Sequence, residues 1–392
     1  MGMPSLAFFL CFSWKLSLKY DEKIAWCIYE KAIDLLEKLS YNLINKNKQI
    51  RTQSNKNDCD KGGGTVAVNF IGITMGDPAG IGPEISLKAI DAKTEYQQSV
   101  LIYGSYDVLQ YYHQRLQLTT PLVRIEKVQD FQPGKINVIS VVDLAIGKDI
   151  EIGQVLPVAG DAAYQYIARA IADALKGDIR VVTTAPLNKE ALHKGGHNFD
   201  GHTEIFATLT KTKSYTMMLW SERMSVVHVS THCSLREACD RATKARVLEC
   251  VHLADKAMKQ LGVETPRIAV AGLNPHSGEA GLFGREEIDE IIPAVQAAQQ
   301  EGLDVDGPVP PDTVFLKAYN GVYDIVVAMY HDQGHIPMKM VAFDSGVNVT
   351  LGLPIIRTSV DHGTAFDIAG KGIAKADSMC YAVDLGKRFA EH

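Results

Sequence analysis

The chain has 392 residues, 46% apolar and 22% charged, the composition of a soluble globular protein. A net charge of −6 argues against a nucleic-acid or anionic-membrane surface, so any anionic ligand needs a local basic pocket. Seven scattered cysteines without a C-x-x-C pair indicate neither a disulfide framework nor a cysteine zinc site, and fit a reducing cytoplasm.

Residues 1–65 stand apart from the rest. SLAFFLCFSW (5–14) resembles the apolar part of a signal peptide, but no basic stretch precedes it and no small-x-small site follows. It is also too short to span a bilayer. An amphipathic helix is predicted within 21–44. The Asn- and Lys-rich run after it, ending in GGG, reads as a linker. This segment is expected to be an extension that the main domain does not need.

From Val66 the pattern alternates strand and helix. Strands are predicted over 66–74, 99–104, 136–142, 179–185, 225–231, 267–273 and 324–330, with helices over 162–177 and 286–302 between them. S-L-R-E, with Ser234 three residues before Glu237, marks a helix start. Repeated β-then-α units predict an α/β protein with a mostly parallel sheet covered on both faces.

In such sheets ligands bind at the carboxyl ends of the strands. His232, His276 and His331 each follow a predicted strand and precede polar or glycine-rich sequence. Three neutral imidazoles converging there would form a metal site with coordination left open for substrate. Position alone leaves this level with three unrelated loop histidines. His335 lies four residues beyond His331, but Gly334 and Pro337 argue against a helix through HDQGHIP, so His335 is read as a supporting or structural residue. His228, inside an apolar strand, is read as a core histidine.

Lys339, Asn348 and Arg357 punctuate an otherwise apolar segment and together suit a phosphate, against solvated surface charge as the plain alternative. In GHTE (201–204), Thr203 is expected to cap a helix beginning at Glu204, leaving backbone N–H groups for an anion. ITMGDPAGIGPEI (73–85) is glycine-rich but matches neither a dinucleotide fingerprint nor a Walker loop. DHGTAFDIAGKGIA (361–374) is more specific: it resembles the loop that holds the adenosine side of the dinucleotide in isopropylmalate and isocitrate dehydrogenases.

GDPAGIGPE, TAPLNKEAL, GHTE, THCSLR, GLNPHSGE, GPVPPDTVF, AMYHDQG and GVNVTLGLPIIRTSVDHGTA run in order from about Val66 to the C-terminus. Together they resemble the 4-hydroxythreonine-4-phosphate dehydrogenase (PdxA-type) family. The resemblance implies a two-domain, isocitrate/isopropylmalate dehydrogenase-like α/β fold with an interdomain cleft. The first domain would be 66–198 plus 355–392, and 199–354 the second, carrying the metal site. It implies metal ligands at His232, His276 and His331, and substrate contacts at His202, Thr203, Lys339, Asn348 and Arg357. Dinucleotide contacts would fall on His362, Gly363, Thr364 and Asp367. Lys339 and Asp312 are the catalytic candidates, with Asp312 equally readable as a turn aspartate after two prolines.

The implied reaction is NAD-dependent oxidative decarboxylation of a four-carbon 4-phosphorylated hydroxy acid, assisted by a divalent metal (Zn, Co, Mg, Mn or Ni). The flanking residues of HDQGHIPMK and TAPLNKEALHKGGHN lean toward the D-threonate/D-erythronate 4-phosphate branch over the 4-hydroxythreonine branch. A homodimer whose second subunit completes the site is implied as well, with no nucleic-acid or membrane partner. The rival is a phosphate acyltransferase of similar fold, which would need neither the histidine trio nor nicotinamide.

Overall fold

The computed structural model describes residues 69–391, so the helix and linker expected within 1–65 lie outside the described residues. The strands are β1 (Ile71–Thr74), β2 (Val100–Gly104), β3 (Leu122–Ile125), β4 (Ile136–Ser140), β5 (Val181–Thr184), β6 (Thr216–Trp220), β7 (Ser225–His228), β8 (Ile268–Ala271), β9 (Val305–Val309), β10 (Ile325–Ala328), β11 (Val347–Leu351) and β12 (Ile356–Ser359). The main helices are α1 (Gly82–Ala92), α2 (Tyr106–Arg115), α3 (Pro157–Lys176), α4 (Lys189–Lys194), α5 (His202–Leu209), α6 (Leu235–Arg241), α7 (Lys244–Gln260), α8 (Ile292–Gln300), α9 (Pro311–Tyr319), α10 (His331–Ala342) and α11 (Asp377–Glu391). Among the described residues no helix is long and apolar enough to cross a membrane.

The strands form one sheet in the order β3-β4-β2-β1-β5-β12-β11-β6-β7-β10-β8-β9. Neighbours are parallel from β3 to β12 and again from β7 to β9. The three pairs between these blocks, β12/β11, β11/β6 and β6/β7, are antiparallel. Two parallel blocks therefore run in opposite directions and meet at an antiparallel seam. Most strands of the blocks are short apolar runs buried throughout, as parallel sheets covered on both faces require. One apolar core fills the β1–β5 block, and a second packs α7, α8 and α11 against the seam and the β7–β10 block.

All seven predicted strands are present, each shorter than its apolar run. The sequence reading missed β3, β6, β9, β11 and β12. A polar or charged residue interrupts three of these (Arg124 in LVRI, Asn348 in VNVTL, Arg357 in IRTS) and β9 contains Gly307-Pro308, whereas β6 (TMMLW) is a short apolar run that was passed over. Ser234 caps α6 as expected, its Oγ accepting from the Glu237 N–H at 3.2 Å. The expectation for GHTE is corrected: α5 begins at His202, Gly201 holds the cap position, and Thr203 lies inside the first turn.

The expectation that HDQGHIP is not helical is also corrected. α10 runs through it with Pro337 inside. Gly334 serves a different purpose from breaking the helix. A Cβ there would sit 2.4 Å from His228 Nε2 and 2.7 Å from Val226 Cγ1, so the glycine lets α10 cross directly over β7. The helix in turn puts His331 and His335 on one face, their rings stacked with centroids 3.6 Å apart.

Candidate active site

The seam sets the site. Arg357 on β12 faces Thr350 on β11, which faces Met217 on β6. The Met217 carbonyl lies 3.4 Å from His228 Nδ1 on β7. Residues directly opposite in a ladder share a face, so Arg357, Thr350 and Asn348, two residues back along β11, present side chains to the same side. Three inter-strand steps of about 4.8 Å separate the backbone of Arg357 from that of His228, or ~14 Å.

At one end of this row lies an anion anchor. Arg357 is 3% exposed, and its guanidinium donates to Thr350 Oγ1 at 3.0 Å and to Thr184 Oγ1 at 2.8 Å. Burial pulls its pKa down to about 10, against the opposing charge of Glu204. No carboxylate pairs with it among the described residues, and its Nε–H has no acceptor. Asn348 Oδ1 and His202 Nε2 are likewise buried without partners. The His202 pKa lies well below the ordinary histidine value because of burial first and the Arg357 guanidinium second. A buried cation with an unspent N–H of its own and no carboxylate paired to it calls for an anion.

The histidines occupy the other end. His331, at the start of α10, stands 6.0 Å from His232 between ring centroids. Its Nδ1 lies 2.7 Å from Asp332 Oδ1, which fixes the tautomer and leaves Nε2 free. Burial lowers the His232 pKa, with the Lys189 charge adding to it, which favours the neutral imidazole that a metal would need. Beneath them His228 is fully buried, with Nε2 3.2 Å from His335 Nδ1. The core reading of His228 holds for its burial, yet its ring belongs to this cluster.

His276 is not gathered in. It opens a turn whose backbone is left-handed from His276 to Ala280, held by the buried Glu287 carboxylate on the Leu273 and Asn274 amides. Among the described residues no three His, Cys, Asp or Glu side chains stand close enough to hold an ion. The donors of His232 and His331 fit a divalent metal in kind, and one chain brings only these two together.

The remaining expected residues are dispersed. Thr203 lines a cavity of 670 Å³ with Glu204, His228 and His232. Lys339, two turns along α10 from His331, is ion-paired with Asp361. Asp312 is exposed in the first turn of α9, which packs on the His276 turn. The 361–374 loop packs on the GDPAGIGPE loop. The Ile81 N–H donates to the Thr364 carbonyl at 3.0 Å, and a Cβ on Gly80 would lie 3.0 Å from Thr364 Cβ. The buried Glu84 accepts from the Ala374 N–H at 2.8 Å and from Lys88 at 2.7 Å, and Lys88 also donates to the carbonyls of Gly372 and Ala374. His362, Gly363 and Asp367 remain exposed on this anchored loop, with open space around Gly363. Such a loop fits a dinucleotide.

The model of the family described as pyridoxal phosphate biosynthetic protein PdxA matches residues 95–386. The chain belongs to the PdxA family. A D-threonate 4-phosphate dehydrogenase of Salmonella typhimurium is 51% identical over 327 residues, covering 82% of this chain and 98% of the relative. A 4-hydroxythreonine-4-phosphate dehydrogenase of Beijerinckia indica is 45% identical over 320 residues, covering 81% and 94%. The crystal structure of a 4-hydroxythreonine-4-phosphate dehydrogenase from Klebsiella pneumoniae superposes with a TM-score of 0.76 at 46% identity, covering 82% of this chain and 99% of that one. With dehydrogenases at this identity and coverage, this PdxA chain is an oxidoreductase of the dehydrogenase class.

Several residues around this candidate site were not singled out by the sequence reading. Thr184 and Thr350, which hold the Arg357 guanidinium, and Glu204 are small or common residue types without spacing of their own. All three do sit inside motifs quoted above, TAPLNKEAL, GVNVTLGLPIIRTSVDHGTA and GHTE, the signal that could have found them.

Proposed function

We propose that the chain oxidises a four-carbon hydroxy acid phosphorylated on its fourth carbon, with NAD as hydride acceptor and a divalent cation at the histidines. D-Threonate or D-erythronate 4-phosphate is favoured over 4-hydroxy-L-threonine 4-phosphate, in keeping with relatives such as the Salmonella typhimurium enzyme. The observation that carries this reading is the buried Arg357 guanidinium, paired with no acid among the described residues and on the same ladder row as the histidine cluster.

Arg357, Asn348 and His202 would bind the phosphate, and its binding energy would hold the reacting carbon toward His232 and His331. Thr184 and Thr350, accepting from its N–H groups, would hold the planar guanidinium aimed at that position. His362, Gly363, Thr364 and Asp367 would take the adenosine side of the dinucleotide. Bound at the site, the cation would supply a Lewis acid and the nicotinamide a hydride acceptor. In the overall reaction the C3 carbinol would give its hydride to NAD and its hydroxyl proton to solvent. The resulting β-keto acid would then lose C1 as carbon dioxide, and C2 would take up a proton from solvent.

His276 would enter the metal set from the partner of a homodimer. Two exposed apolar patches support this reading. Ile336, Met340 and Phe343 follow one face of α10, with Met340 81% exposed, and Leu282 and Phe283 flank the His276 turn, with Leu282 72% exposed.

The test is NADH formation from the three candidate substrates, using protein stripped with chelator and reloaded with single metals. Metal-dependent turnover that His331→Ala abolishes supports the reading, and turnover indifferent to chelation overturns the metal's part in it. Mixing inactive His276→Ala and His331→Ala proteins should restore about a quarter of wild-type activity if subunits exchange at random, because one site of each mixed dimer is intact. No restoration in protein shown to exchange would place all three ligands on one chain.

A further inference from the structure

Glu204, the third residue of α5, is half-buried and opens onto the 670 Å³ cavity beside Thr203 and His232. Its carboxylate folds back over the start of the helix, Oε2 lying 3.5 Å from where a Gly201 Cβ would sit. Among the described residues its side chain makes neither hydrogen bond nor ion pair. Other acids around the cavity are in a different position. Glu249 and Glu237 are paired with Arg246 and Arg241, while Asp200 and Asp240 are exposed to water. Sharing this cavity wall with His228 and His232 puts the Glu204 carboxylate at the histidine end of the site.

A carboxylate is an unfavourable neighbour for the phosphate of a bound substrate unless it meets a hydrogen-bond donor. A four-carbon hydroxy acid stretched from Arg357 to His232 has one donor left over. The hydroxyl to be oxidised belongs at the histidine end, and the adjacent hydroxyl on C2 needs an acceptor. In the reading above His202 and Asn348 are already given to the phosphate at the anchor. We infer that Glu204 is a specificity-determining residue of the reaction proposed above, on which this inference rests, its carboxylate accepting the hydrogen bond of the substrate C2 hydroxyl. A site built in this way rejects an analogue lacking the donor, because the half-buried carboxylate is then left without a partner.

The test compares kcat/KM for D-threonate 4-phosphate and for 3-hydroxy-4-phosphobutanoate, its 2-deoxy analogue, in the full chain. Wild type should prefer the 2-hydroxy substrate, and Glu204→Ala should lower that preference about 10- to 150-fold, the range for a hydrogen bond to a charged group. Glu204→Gln keeps an acceptor oxygen and should retain most of the preference. Should Glu204→Ala fail to fold, Glu204→Gln against Glu204→Leu makes the same comparison. An unchanged preference in Glu204→Ala overturns the inference, as does an equal loss on both substrates, which would mark a general electrostatic or structural role. If wild type turns over neither compound nor the other candidate substrates, the proposed function itself falls, and this inference with it.

Discussion

Replacing Arg357 with methionine should remove activity and leave the fold intact, an outcome that a purely structural arginine would not give. The guanidinium is 3% exposed, bonded only to two threonine hydroxyls, and has an idle Nε–H. Methionine fills similar volume without burying a charge. Loss of the charged donors to a phosphate costs about 3–5 kcal/mol of binding, or roughly 10²- to 10⁴-fold in kcat/KM. Stability should fall by only about 2 kcal/mol: the two lost bonds to a charged group cost about 3–6 kcal/mol, and removing an unmatched buried charge returns about 1–4 kcal/mol. The assay is a pair of thermal melts with and without inorganic phosphate. At a hundredfold excess over its Kd, phosphate stabilises a binding protein by about 2.7 kcal/mol, which should raise the wild-type Tm by several degrees and leave Arg357→Met unmoved. The reasoning is refuted if the variant keeps the phosphate-induced rise, or if it loses more than about 3 kcal/mol without ligand.

Three further outcomes follow from the packing. Asp77 is fully buried and its carboxyl is pushed up to about 6 from 3.8, by burial and against two backbone amide donors. The folded state therefore holds this proton more tightly than the unfolded state, so its contribution to stability falls as pH rises from about 4 to 6. The cost at neutral pH is on the order of 3 kcal/mol. Asp77→Asn should flatten that part of the stability–pH curve in denaturant titrations, and an unchanged slope would contradict it. Gly334→Ala forces a methyl against His228 and Val226, so a cost of about 1–3 kcal/mol should accompany weakened metal binding by equilibrium dialysis. Wild-type stability in that variant would mean α10 does not need its close approach. Glu84→Ala takes the carboxylate from Lys88, which keeps its two carbonyl bonds, and leaves the Gly372 and Ala374 amides without their acceptor; it should cost about 3–5 kcal/mol and raise KM for NAD more than for the phosphorylated substrate in initial-rate kinetics. Equal rises in both would detach Glu84 from the dinucleotide loop.

What the sequence determined by itself is local. Apolar runs gave the strands of the two parallel blocks, because a strand buried on both faces needs no polar alternation. The S-L-R-E cap on α6 is readable because Ser234 and Glu237 are neighbours on one turn. His232 and His331 could be placed at strand ends for the same reason: chain order and strand ends together fix where each one emerges. The tertiary structure decided whatever depends on separate segments meeting. Arg357 and Asn348 share a face only because β12 and β11 pair in one register, and the Thr184 partner of Arg357 comes from a strand 173 residues away. Gly334 looked like a helix breaker until the crossing of α10 over His228 gave its missing side chain a purpose. The same is true of His276, whose separation from the other two histidines depends on the path of the turn after β8. Sequence spacing along one chain carries no information about such a distance.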